Sequence, residues 1–316
     1  MHIAVMDMFC GAGGSSAGAR LAGADVVHGI DAWALAAHTF RDNFDDATVD
    51  IRKLGPKSRP PRMLRQGDID LLLASPECTN HSPAKGSKPR SENSRRTSHY
   101  VFNFAKTLRP RWIVLENVVQ IRNWRGFNTL IGELRNFGYY IRFEVLDAAD
   151  FGVPQNRRRL FVLCDLDREP SEILPRTRRR KSAAAVVQLS GRWPSRPLRL
   201  PERAAATIER AERAIAAIGK GRPFLIVYYG SDGGGGWQPL DRPLRTLTTL
   251  DRFGLVTWDG REPMLRMLQV DELRRAMGFP DTYRFDHGTR RDKIKMIGNG
   301  VCPPVMGAVI EELISR

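Results

Sequence analysis

Cys78 is the residue whose surroundings point most directly to chemistry. It ends the turn Ser75-Pro76-Glu77-Cys78, directly after the apolar run Leu71-Leu72-Leu73-Ala74, so a thiol is expected where a buried strand ends. A nucleophile of this kind needs an acid partner, and Glu116 stands at the end of a second apolar run, Trp112-Ile113-Val114-Leu115. In a parallel sheet, consecutive strand ends open onto one crevice, where such folds bind ligands. A third feature belongs to the same edge. The stretch Asp7-Met8-Phe9-Cys10-Gly11-Ala12-Gly13-Gly14-Ser15-Ser16 follows the first apolar run and opens a helical segment, placing glycines where backbone must approach a ligand closely. Asp31 ends the second run, where an acidic side chain would take the two hydroxyls of a ribose. Asp50-Ile51 ends a third, where it would meet an adenine edge. Together these positions suggest an adenosine-containing cofactor; service of Asp31 and Asp50 as helix N-caps is the alternative.

The elements that must position these residues follow from hydrophobic pattern. As far as residue 165, short apolar runs alternate with segments of helical period, the signature of a doubly wound parallel sheet. Strands are expected at His2-Met6, Asp25-Gly29, Ile69-Ala74, Arg111-Leu115, Tyr140-Leu146 and Leu160-Cys164. Helices are expected at Ala17-Leu21, Ala34-Phe44, Tyr100-Leu108 and Asn128-Phe137. From about 166 to 240 the texture changes to Pro- and Arg-rich sequence, including Arg178-Arg179-Arg180-Lys181 and a glycine run, and reads as a separate loop-rich module. Within it Glu202-Ile218 has helical spacing and Phe224-Tyr229 reads as a strand. Order returns with helices at Asp271-Met277 and Pro304-Ile314. Ser87-Thr97, with almost nothing apolar, is expected to be a mobile loop, read either as a lid over the crevice or as ordinary surface.

Composition narrows the partners. Lys and Arg total 50 against 35 Asp and Glu, a formal charge of +15 that favours a polyanion, with nucleic acid first; GC-biased coding is the competing source of arginine. No apolar run approaches bilayer length and Met1-His2-Ile3-Ala4-Val5 enters a strand at once, so a cytoplasmic protein is expected. The four cysteines are far apart with no C-x-x-C pair, which suggests neither a metal site nor a disulfide framework.

Five motifs in order, Phe9-Cys10-Gly11-Ala12-Gly13-Gly14, the Cys78 turn, Leu115-Glu116-Asn117-Val118, Gln155-Asn156-Arg157-Arg158-Arg159 and Gly298-Asn299-Gly300-Val301, together resemble the DNA cytosine-5 methyltransferase family. The resemblance covers the chain except roughly 166 to 240, where the family's variable target-recognition region would lie. It implies an α/β fold, a doubly wound Rossmann-like mixed sheet of the class I methyltransferase type, with a smaller loop-rich target-recognition domain. The division it implies is a catalytic domain over 1–168, a recognition domain over 169–288, and a C-terminal helix, 289–316, returning to the first.

The resemblance also implies a chemistry. Carbon 5 of cytosine is a poor nucleophile, so Cys78 would first attack carbon 6, with Glu116 donating to ring nitrogen 3. Arg157 and Arg159 would bind the base's carbonyl oxygen and brace the loop, while Pro76 and Asn117 would hold the Cys78 turn. S-adenosylmethionine would be bound by Phe9, Gly11, Gly13, Asp31, Asp50, Ile51, Asn299 and Val301. The substrate would be double-stranded DNA with its target base swung out of the stack, the protein acting as a monomer, and Arg178, Arg179, Arg180, Lys181 and Arg242 would contact phosphates. The family's usual Pro-Pro-Cys-Gln is here Pro76-Glu77-Cys78-Thr79, which puts a carboxylate beside the nucleophile, where it would raise the thiol pKa if close, and leaves open whether the transferred group is altered. An RNA methyltransferase of the same fold, a non-catalytic DNA-binding relative and a nucleotide-dependent oxidoreductase are the alternatives. The last leaves Cys78, Glu116 and the arginines unexplained.

Overall fold

A computed structural model describes residues 2–77, 91, 96–230 and 235–315. Cys78 lies outside the described residues, and so does the Ser87-Thr97 loop apart from Ser91, Arg96 and Thr97.

The first part alternates as its apolar runs require: β1 (Ala4–Met8), α1 (Gly14–Leu21), β2 (Asp25–Asp31), α2 (Ala34–Asn43), β3 (Thr48–Ile51), β4 (Leu71–Ala74), α3 (Tyr100–Leu108), β5 (Trp112–Asn117), α4 (Arg125–Asn136), β6 (Tyr140–Asp147) and β7 (Arg158–Asp165). These strands form one sheet in the order β3-β2-β1-β4-β5-β7-β6. Neighbours from β3 to β5 pair in parallel, whereas β7 runs antiparallel to both β5 and β6, so the sheet is mixed. Strand side chains alternate between faces. Val5, Leu71, Leu73 and Val114 pack on one side with Phe40 of α2, and Met6, Leu72 and Ile113 pack on the other with Phe104 and Leu108 of α3. Burial on both faces is why these runs read as continuously apolar.

β1 extends two residues beyond its expected end because Asp7 and Met8 still pair with β2 and β4. α1 begins at Gly14, earlier than its apolar spacing suggested, since Gly14, Ser15 and Ser16 are small enough to be buried there.

A second sheet follows, built from β8 (Arg196–Pro197), β9 (Phe224–Val227), β10 (Trp237–Pro239), β11 (Phe253–Asp259) and β12 (Glu262–Met267) in the order β10-β9-β11-β12-β8. The helix α5 (Ala205–Ile218) covers it, with Ala211 and Ala214 against Phe224, Ile226, Val256 and Leu265. Three helices complete the chain: α6 (Val270–Ala276), α7 (Arg290–Asn299) and α8 (Pro303–Ile314). α8 returns to α1, and α1's glycines make the approach possible. A Cβ on Gly18 would strike the Met306 side chain, and one on Gly14 would collide with the backbone of Val301. No helix among the described residues is long and apolar enough to cross a membrane.

Candidate active site

The chain leaves β1 towards β2 and β3 on one side and later builds β4 and β5 on the other, so the carboxyl ends of β1 and β4 flank a topological switch point. A cavity of about 590 Å³ opens there. Its walls come from the β1–α1 turn, the end of β2, the first residues after β3, the Ser75-Pro76-Glu77 turn after β4, Glu116 at the end of β5, and α7 with the turn that follows it.

The glycine turn is built to face this space. Phe9 has φ 61°, a left-handed conformation that bulky residues rarely hold. It is retained because Cys10 N–H donates to Ile30 O at 3.0 Å and Ser75 Oγ donates to Phe9 O at 3.3 Å, which ties β1, β2 and the β4 turn together. Gly11 is also left-handed, with φ 54°, and a Cβ there would meet no protein atom within 4 Å; it would stand in the cavity's open space. Asp31 buttresses the turn from β2, its two carboxylate oxygens accepting from the backbone N–H groups of Gly11 (2.9 Å) and Trp33 (2.7 Å). Burial raises the Asp31 pKa, and those N–H groups oppose the rise. Trp33 lines the cavity, with the Lys295 ammonium 4.3 Å from its ring centre.

Under the turn lies a second carboxyl group. Asp7 is wholly buried, accepts from Ser16 Oγ at 2.6 Å through one oxygen, and has no hydrogen-bond partner for the other among the described residues. Burial pushes its pKa up to about 7, against the Ser16 hydrogen bond and with a smaller contribution from Asp31.

Across the cavity, Glu116 is buried at the end of β5 with Arg159 Nε 3.1 Å from its Oε1. Two opposed influences act on its carboxyl. Burial raises the pKa and is the larger, while the Arg159 and then the Arg157 guanidinium lower it, so the balance stays above the ordinary carboxylate value. The neighbouring Asn117 points its amide to the β4 turn, Nδ2 donating to Pro76 O at 2.9 Å, while its Oδ1 accepts from Val118 N–H. The ends of β4 and β5 are thus fastened by a side chain just where the thiol-bearing turn begins.

Arg157 performs a different task from Arg159. Its buried guanidinium donates to Leu247 O (3.1 Å), Gly298 O (2.9 Å) and Gly300 O (2.9 Å), clamping the turn after α7 and the segment before β11 onto the first sheet. Asn299 and Val301 are held on the cavity wall by this clamp. Gln155 extends it, with Nε2 donating to Ala276 O and Oε1 accepting from Leu247 N–H.

The structure brings Phe9, Gly11, Asp31, Pro76, Glu116, Arg157, Arg159, Asn299 and Val301 to one cavity. It separates others. Gly13 does not line it; the place of its missing side chain is taken by Phe44 and the Tyr283 hydroxyl, so this glycine serves packing. Asp50 and Ile51 also stand outside, because β3 is an edge strand that ends before the wall begins. Asp50 lies between His28 (3.5 Å) and Arg52 (3.4 Å), Ile51 is exposed, and the next residues, Arg52, Lys53 and Leu54, form the wall instead. Arg180 departs from the expected phosphate contact as well. The N–H groups of Arg176 and Thr177 bond to Asp150 O, which folds the basic loop back so that Arg180 grips the Asp150 carboxylate at 2.9 and 3.0 Å. Arg178, Arg179, Lys181 and Arg242 remain exposed.

Trp33 and Lys295 are cavity residues that sequence pattern does not single out. An aromatic two residues after a strand-ending Asp is an available signal for the first; nothing local marks the second. The described cysteines offer no rival nucleophile. Cys10, Cys164 and Cys302 are buried, and burial raises all three thiols, Cys302 to about 11. Among the described residues no cluster of His, Cys, Asp or Glu could hold a metal ion.

The mixed Rossmann-like sheet with its cavity at the switch point matches the fold of S-adenosylmethionine-dependent methyltransferases. It superposes on the Entamoeba histolytica methyltransferase EhMeth with a TM-score of 0.70 at 15% identity, covering 100% of this chain and 98% of the other. On the S. pombe Dnmt2 methyltransferase the values are 0.68 and 17%, with 99% of each chain covered. The family model for C-5 cytosine-specific DNA methylases matches residues 3–315, and the chain belongs to that family. Similar curated proteins are the Type II methyltransferases M.HindV of Haemophilus influenzae, 26% identical over 299 residues (94% of this chain, 91% of that protein), and M.NlaX of Neisseria lactamica, 26% identical over 323 residues (98% and 95%). The family and the fold imply S-adenosylmethionine as methyl donor. The residues present fit it: the cavity is within the usual size of small-molecule sites, an open cradle lies over Gly11, and Asp31 keeps lone pairs for further donors.

Proposed function

We propose that this chain methylates carbon 5 of a cytosine extruded from double-stranded DNA, with Cys78 as nucleophile and Glu116 as acid. The observation that carries the reading is the buried Glu116 carboxyl, lining the same cavity as the neighbouring Pro76-Glu77 turn that leads to Cys78. The Cys78 thiolate forms a bond to carbon 6 of the ring, and the displaced electron pair makes carbon 5 nucleophilic. Glu116 holds its proton at ring nitrogen 3, where negative charge would otherwise build up, and its raised pKa favours the protonated form needed for that task. Arg159 orients the Glu116 carboxyl and offers its remaining N–H groups to the base's carbonyl oxygen. Arg157 keeps Asn299 and Val301 in place and acts as a positioning residue. When bound, S-adenosylmethionine supplies an electrophilic methyl group from its sulfonium. Asp31 would accept from the ribose hydroxyls, Trp33 would stack on the adenine, and Phe9, Gly11, Asn299 and Val301 would enclose the rest. Loss of the carbon 5 proton and departure of the Cys78 sulfur as thiolate then restore the aromatic ring.

In this reading residues 1–168 are the catalytic domain, 169–288 hold the target sequence, and 289–316 return to the first domain, the protein working as a cytoplasmic monomer. Arg178, Arg179, Lys181 and Arg242 would lie along the phosphates, with Arg180 holding their loop. The test is covalent trapping. Incubated with methyl donor and duplex DNA carrying 5-fluorocytosine at the methylated position, which bisulfite sequencing identifies, the protein should form an adduct stable to denaturation, because fluorine cannot leave as the proton does. Cys78→Ser should bind the duplex yet form no adduct and show almost no turnover. Methylation by Cys78→Ser near the wild-type rate, or label entering only transfer RNA, would overturn the assignment.

A further inference from the structure

Between β3 and β4 the chain carries Arg52, Lys53, Lys57, Arg59, Arg62 and Arg65 without one Asp or Glu until Asp68. A basic run is commonly a solvated loop, but this one is braced. Pro56, Pro60 and Pro61 fix φ at three positions. Ser58 Oγ accepts from Gly55 N–H at 2.8 Å, Arg52 Nη2 donates to Arg59 O at 2.9 Å, and Asn103 Nδ2 of α3 donates to Pro56 O at 3.0 Å. The backbone is therefore held, and Arg52, Lys57, Ser58, Arg59 and Arg62, together with one acid, Asp50, line a concavity of about 580 Å³. Lys57, Arg59 and Arg62 are exposed and have no carboxylate within ion-pair distance among the described residues, unlike Arg180, Arg199 or Arg290, each of which grips an acid.

Position gives the cluster meaning. Ile51, the last residue of β3, pairs with Asp31, and Arg52, Lys53 and Leu54 already form part of the methyl-donor cavity. The loop thus begins at the cavity mouth, at the carboxyl-terminal edge of the sheet where the Pro76-Glu77 turn also emerges, and is tied to α3. Asp50, which shares the concavity, pairs with Arg52, but Lys57, Arg59 and Arg62 hold their charge there with no carboxylate within ion-pair distance among the described residues. We propose that the loop from Lys57 to Arg62 is a second phosphate-binding surface, which grips the backbone of the DNA duplex flanking the target, outside the recognition module. It rests on the reading of duplex DNA as substrate.

The test compares the wild type with the triple variant K57Q/R59Q/R62Q on two duplexes centred on the methylated site, one just filling the target module and one extended on both sides. On the extended duplex the logarithmic salt dependence of binding should become shallower by about 0.9 per lost contact, roughly 2.7 in all. A fourfold rise in salt would then cost the variant about forty-fold less affinity than it costs the wild type. Methylation of saturating short duplex should be unchanged, which verifies folding, and R59K/R62K, which keeps the charge, should keep the wild-type slope. Equal salt slopes for the wild type and the triple variant on the extended duplex would overturn the proposal. Failure of the wild type to methylate either duplex would reject the functional reading itself, and the flanking surface with it.

Discussion

The Asp7 carboxyl makes the fold's stability depend on pH, by an amount that can be calculated. It has no access to solvent, and its pKa moves from 3.8 to about 7 on folding. Between these values the folded protein holds a proton that the unfolded chain has released. Stability therefore falls as pH rises through the window from 3.8 to 7, and the full effect is about 4 kcal/mol, since each tenfold change in proton affinity is worth about 1.4 kcal/mol. About 3 kcal/mol of it falls between pH 5 and pH 8. Asp7→Asn removes the titration while keeping an oxygen for the Ser16 hydroxyl. Urea unfolding of both proteins at a series of pH values would show it. The unfolding free energy of the variant minus that of the wild type should rise by about 3 kcal/mol from pH 5 to pH 8. Glu116, whose pKa is also raised, titrates in both proteins and cancels; Asp31 does so apart from its smaller coupling to Asp7. If the two curves run parallel, Asp7 is ionised in the folded state and the reasoning from burial fails.

Glu116→Gln should lower the rate of methyl transfer by about 10²–10⁴-fold. On the proposed mechanism the acid form is the active one, so single-turnover rates should decline as pH rises through a pKa above the ordinary carboxylate range, and the variant should lack that limb. Arg157→Met should leave the carbonyls of Leu247, Gly298 and Gly300 without their donor, costing about 3 kcal/mol or more; calorimetry should record a lower melting temperature, with weakened methyl-donor binding as the Asn299–Val301 wall loosens.

Much of the fold is legible because strands buried on two faces are continuously apolar, as Leu71–Ala74 and Trp112–Leu115 are. The hairpin of β11 and β12 escapes the pattern reading, although Asp259-Gly260 between two apolar runs is a turn signal, and Gly260 does take the positive φ of 55° such a turn uses. In the site, Glu116 can be found locally as a carboxyl ending a buried run. The clamp made by Arg157 cannot, since its acceptors lie 90 to 143 residues away and carbonyl groups carry no sequence identity. The same limit applies to Gly14. Its lack of a side chain answers to the Val301 carbonyl, and a glycine needed for a distant chain looks no different in sequence from one needed for a ligand. Lys295 reaches Trp33 only because α7 returns to the first sheet.

The close fit of Val301 over Gly14 has a consequence for how the protein is made. During synthesis the strand-and-helix units that bear Asp31 and Glu116 leave the ribosome well before the Lys295–Val301 wall. A nascent chain therefore displays its acids well before it can enclose a donor. Competence for modification waits until the Pro303–Ile314 helix has been made and docks on α1.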